Sequence, residues 1–100
     1  ERHVGSYTFL RKLYQGTGME VHHIIEKLFF HLFPEFGSKG AMASVALTKA
    51  EHAYFTRQWR NMLKYGSKYE KDEVIRAAYE IYANFPELLN AVLKEINCLS

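Results

Sequence analysis

Residues 19–25 read Met19-Glu20-Val21-His22-His23-Ile24-Ile25, and residues 48–52 read Thr48-Lys49-Ala50-Glu51-His52. The first stretch is β-branched and apolar around its polar members, which predicts a strand. The second places Thr at a helix cap and Glu three residues on, the capping-box spacing, and so opens the longest helix, roughly residues 49–64. Phe55, Trp59, Met62 and Leu63 form its predicted buried stripe. A second short strand over 42–47 runs directly into that cap. Strand, loop, strand and capped helix thus follow one another within residues 19–64.

Working outward, Ser6 is placed to cap a short helix carrying Tyr7, Leu10, Leu13 and Tyr14 on one side. Gly16-Thr17-Gly18 ends it as a turn; the further glycine and strand-to-helix setting of a phosphate loop are missing. Residues 26–33 read as a short helix with Leu28, Phe29, Leu32 and Phe33 at helical spacing. Pro34 stops it, and 34–41 form a loop. Beyond a break at Tyr65-Gly66-Ser67, residues 70–83 predict a helix with Val74, Ala78, Ile81 and Tyr82 inward. Pro86 then starts a last helix lined by Leu88, Leu89, Val92, Leu93 and Ile96. The expected fold is α+β and mostly helical: a short two-stranded hairpin plus helix, with additional packing helices. One domain spans 1–100, with its core motif at 19–64 and a helical part at 67–97.

The chain has 100 residues, a net charge of +2 and 48% apolar residues, enough for one packed core and too apolar for disorder. That mild charge neither requires nor excludes a nucleic-acid partner. Cys98, the single cysteine, excludes an internal disulfide and a cysteine-rich zinc site, and reads as a plain terminal thiol. No apolar run approaches the ~20 residues that span a bilayer. Glu1-Arg2-His3 does not open a signal peptide, so the sequence reads as an excised soluble domain whose delivery signals lie elsewhere.

Imidazole is the commonest metal ligand and the side chain best suited to moving protons near neutral pH. Neighbouring strand residues point to opposite faces, so His22 and His23 divide their labour, one as ligand and one as base. Glu20 shares the face of His22 and can offer a carboxylate to the same cation. His52 lies one turn into the long helix, at the edge of its apolar stripe and bordered by Lys49 and Arg60. Cations beside a metal ligand point to an anionic substrate, a phosphodiester above all. Arg60 is the best placed of these cations, whereas Arg57 and Lys64 read as a solvated face. His31 is expected to be a partly buried structural residue, and His3 carries no functional weight. Trp59 and the Tyr7, Tyr14 and Tyr54 rings are expected to pack in the core or at its rim.

The order of these pieces resembles the ββα-metal, or HNH-type, nucleases. More narrowly, residues 16–27, Gly16-Thr17-Gly18-Met19-Glu20-Val21-His22-His23-Ile24-Ile25-Glu26-Lys27, resemble the C-terminal toxin domains of bacterial polymorphic toxins. So do Ala46-Leu47-Thr48-Lys49-Ala50-Glu51-His52, Phe55-Thr56 and Trp59-Arg60. These are the HNH/endonuclease VII-like domains of contact-dependent, Rhs-type and related secreted effectors. The resemblance covers roughly residues 5–90 and is specific in the two His-bearing blocks.

It implies a metal-dependent endonuclease that hydrolyses phosphodiester bonds of nucleic acid, DNA in preference to RNA. One divalent ion (Mg, Mn, Zn or Ni) would be held by His22 and His52, with Glu20 a further ligand or orienting group. His23 is then the general base, and Arg60 assists on the phosphate. The domain would be secreted as part of a larger effector, act in the cytoplasm of a target bacterium, and be neutralised by a cognate immunity protein. Two other readings stay open. One is a ribonuclease toxin using His23 and His52 as a metal-free acid–base pair. The other is a non-enzymatic helical interaction module with structural histidines.

Overall fold

The computed structural model describes residues 2–96; Cys98 and the end of the expected 67–97 helical part lie outside the described residues. The middle of the sheet is strand β3, Ala43–Leu47, in which every residue is buried. A run of small and apolar residues without alternation suits a strand covered on both faces. Two further strands pair antiparallel with it. One is β1, Val4–Ser6, in register Val4↔Val45. The other is β2, Glu20–His23, in register Glu20↔Leu47 and His22↔Val45. The order is β1-β3-β2, so β2 has one free edge.

Helix α1, Tyr7–Leu13, packs against all three strands. Ser6 caps it, its Oγ accepting the Phe9 N–H at 3.2 Å. A turn at Lys39–Ala41 also lies against α1, and Gly40 fits closely there: a Cβ would displace the Thr8 hydroxyl. The other side of the sheet carries the main core. Helix α2, Lys49–Met62, begins with the full capping box: the Glu51 N–H donates to Thr48 Oγ1 at 3.2 Å, and the Thr48 N–H to Glu51 Oε1 at 3.0 Å. Helices α3, Lys71–Ile81, and α4, Pro86–Glu95, complete the packing. Trp59, Phe55, Tyr82, Val74 and Leu88 are all essentially solvent-free within it. Among the described residues, no helix is long and apolar enough to cross a membrane.

The α+β class, largely helical, is as expected. The two-stranded hairpin is instead part of a three-stranded sheet. β1 is only three residues long, contains Gly5, and exists because β3 offers it a ladder. The expected helix over 26–33 is a 3-10 segment, Lys27–Leu32, and the loop after it holds 3-10 turns at Pro34–Phe36 and Lys39–Ala41. Pro34 keeps Phe33 out of the α region (φ −129°, ψ 65°), which leaves too little chain for stable α turns. Leu13 and Met62, expected inward, are exposed, and so is His31.

Candidate active site

β2 alternates its side chains across the sheet, and this sorts the residues of interest. Glu20 and His22 face α2; Val21 and His23 face the α1 side. His52 occupies the first turn of α2, where its N–H donates to the Thr48 carbonyl at 3.0 Å. Its ring reaches back to β2: His52 Nδ1 lies 2.6 Å from Glu20 Oε1. A carboxylate oxygen accepts, so His52 Nδ1–H donates to Glu20, and in the tautomer this selects the lone pair falls on Nε2.

The ring of His22 stands edge-on to His52, with centroids 5.1 Å apart, and stacks on Phe55 at 5.8 Å. His22 is 3% exposed, and its Nε2 lies 2.9 Å from the Tyr82 hydroxyl. That hydroxyl has one proton, which it donates to the Ile24 carbonyl, and it accepts the Trp59 indole N–H at 3.0 Å. Proton counting therefore makes His22 Nε2 the donor and puts its lone pair on Nδ1. Burial is the main cause that drives the His22 pKa from 6.5 down to about 3, and the nearby His52 and His23 rings add to it. His22 is neutral at any physiological pH. Burial pushes the Tyr82 phenol upward, so it too remains a neutral hydrogen-bond hub.

His23 occupies a different environment. Its ring stacks on Tyr7, nearly parallel, with centroids 4.0 Å apart. Its Nε2 is buried and has no hydrogen-bond partner among the described residues. Burial is again the main cause that lowers its pKa, to about 4; a hydrogen bond to the Lys39 backbone opposes this, while Lys27 and His52 add to the lowering. Arg60 also lies apart from the cluster. Its Nη2 donates to Glu26, and its guanidinium sits 3.9 Å from the Tyr65 ring centroid. Of the residues singled out in the sequence, the structure brings together Glu20, His22 and His52. His23 lies across the strand, and Arg60 lies two turns along α2.

Around the free edge of β2 opens a cleft of about 810 Å³, its walls including Tyr7, Arg11 and Lys12 of α1 together with Glu20, Val21 and His52. Neither Arg11 nor Lys12 pairs with a carboxylate among the described residues; Arg11 donates to the Tyr7 hydroxyl at 3.1 Å. Two free cations beside a carboxylate-bound imidazole make this a place for an anion. The adjacent Arg11-Lys12 pair was a legible signal that the His-centred reading passed over. Tyr82, sixty residues from His22, gave none.

Among the described residues, no three of His, Cys, Asp and Glu are grouped so as to hold a metal ion. His22 and His52 are nevertheless adjacent imidazoles, each with its second nitrogen fixed by a hydrogen bond, as metal-binding imidazoles are. These two would hold a divalent ion. Glu20 is engaged with His52 and would act from behind it. No protein-family model, no curated protein and no solved structure matches this chain.

Proposed function

We propose that this domain is a nuclease that hydrolyses phosphodiester bonds of nucleic acid, with Glu20, His22 and His52 at its centre and the Arg11–Lys12 cleft gripping the phosphate. One observation carries the reading: β2 and the first turn of α2 bring a carboxylate and an imidazole, Glu20 and His52, into the wall of a cationic cleft, with the buried ring of His22 directly behind them. The likeness of the two His-bearing blocks to polymorphic-toxin nucleases supplies the setting: a secreted effector, DNA as preferred substrate, and an immunity protein that covers the cleft. A divalent ion bound by His22 and His52 would polarise the phosphate and activate water. Glu20 and Tyr82 each fix one tautomer, and burial keeps His22 unprotonated and available. Arg11 and Lys12 would hold the phosphate by the charge it already carries, equally before and during reaction.

A second reading has its own observation. The Glu20–His52 pair is already a carboxylate-oriented base, as in a metal-free ribonuclease, where His52 Nε2 would take the proton of the ribose 2′-OH. Supercoiled plasmid and total RNA, each incubated with the purified domain in Mg, Mn, Zn or Ni and in EDTA, separate the two. DNA nicking abolished by EDTA supports the first, and RNA cleavage that survives EDTA supports the second. His52→Ala abolishes both, and a fully active His52→Ala protein refutes the centre. His23→Ala assigns the proton acceptor. Lost activity with an intact fold places the base at His23, reached round the edge of β2; retained activity removes His23 from the reaction, and leaves His52 as the base only where cleavage survives EDTA.

A further inference from the structure

At the opposite end of α2 from His52 lies a second, more enclosed pocket of about 410 Å³. The 3-10 segment supplies Leu28 and Phe29 to its wall, and the connection between α2 and α3 supplies Tyr65 and Tyr69. Pockets of this size with apolar and aromatic walls are typical small-ligand sites. The connection is held in shape: Gly66 takes φ +88°, the Tyr69 hydroxyl donates to the Lys64 carbonyl at 3.1 Å, and Tyr69 meets Phe29 edge-on. Tyr65 is 70% exposed, yet its ring is backed by Arg60, whose own charge is matched by Glu26. Such a ring has a cation against one side and the rest of its surface open to solvent.

Charge selects the occupant. Lys64 and Lys68 line the pocket, and neither has a carboxylate within ion-pair distance among the described residues. Glu70 is the one acid on the wall. A planar apolar group with an anionic neighbour matches this surface, and a nucleotide within a single strand has both. We infer that this pocket binds single-stranded nucleic acid, a base stacking on Tyr65 and its flanking phosphates lying against Lys64 and Lys68. The inference takes the kind of polymer from the nuclease reading; the pocket itself lies outside the histidine cluster.

The test is a binding measurement in which no bond is cut. A fluorescein-labelled oligothymidylate of about ten nucleotides, within the usual footprint of about 4–16 nucleotides for stacking platforms, is titrated with the domain in EDTA. A strand of equal length with abasic sites is titrated alongside. Wild type binds the base-bearing strand more tightly than the abasic one. Tyr65→Ala loses that difference, weakening oligothymidylate binding about tenfold, whereas Tyr65→Phe keeps it. Lys64→Ala/Lys68→Ala weakens both strands. Melting temperatures close to wild type confirm folding, as expected for side chains this exposed. Wild-type affinity in Tyr65→Ala, or equal binding of the two strands by wild type, overturns the inference. Neither result touches the nuclease reading, which fails separately if a protein that binds oligothymidylate in this way cuts neither DNA nor RNA.

Discussion

Replacing Tyr82 by Phe removes one oxygen and leaves the ring that packs on Phe55 and Trp59, with centroids 5.3 and 6.2 Å away. That oxygen joins β2, α2 and the end of α3. The His22 Nε2 proton, the Trp59 indole proton and the Ile24 carbonyl all lose their partner together, at a site with no solvent to replace it. A buried polar group left unsatisfied costs about 1–3 kcal/mol. Three such groups, with some relaxation, cost roughly 3–6 kcal/mol. Against a total of about 5–15 kcal/mol for an ordinary domain, this is a large share of the stability. Urea denaturation of wild type and Tyr82→Phe, followed by Trp59 fluorescence, measures the difference. Proton-detected nitrogen shifts of His22 should show the proton on Nε2 in wild type and a mixture of tautomers in the variant. A loss below about 1 kcal/mol, with His22 unchanged, refutes the hydroxyl as the hub.

Three further outcomes are expected. His22 takes up protons near pH 6.5 when unfolded but only near pH 3 when folded, so the unfolded state binds more protons between these values. Its contribution is therefore complete above pH 6.5 and falls by roughly 1.4 kcal/mol per pH unit below that. Urea midpoints from pH 7 to pH 5 should fall at least this steeply, because His23, lowered to about 4, acts in the same sense, and the slope should shrink without vanishing in His22→Gln; parallel slopes would contradict the buried neutral ring. Thr48→Ala, which breaks the capping box, should lower stability by about 1 kcal/mol, read by thermal melting. Arg11→Ala/Lys12→Ala should raise the KM for nucleic-acid cleavage with little change in kcat, since those cations grip the substrate before reaction; unchanged KM would remove the cleft from the substrate path.

Local signals in the sequence were enough for α2, because Thr48 and Glu51 satisfy each other within one turn and Phe55 and Trp59 repeat at helical spacing. The face-sharing of Glu20 and His22 was also legible, since it follows from strand alternation alone. Distance along the chain hid the rest. Val4 finds its ladder at Val45, and His22 finds its hydrogen-bond partner at Tyr82, encounters that no window of neighbouring residues records. Arg60 illustrates the same limit from the other side. Its wheel position placed it near His52, but Glu26 and Tyr65 hold its guanidinium away from the cluster. The 3-10 segment Lys27–Leu32 and the turn at Pro34–Phe36 trace to Pro34, whose effect reaches back through Phe33.

The bond from β2 to Tyr82 also governs when the chain acquires its centre. During synthesis the sheet cannot close before β3 has left the ribosome, and His22 has no fixed tautomer until α3 has followed. A nascent or proteolytically shortened chain ending before Tyr82 carries His22 without the partner that orients its ring. Maturation of the centre is thereby tied to translation through α2 and α3.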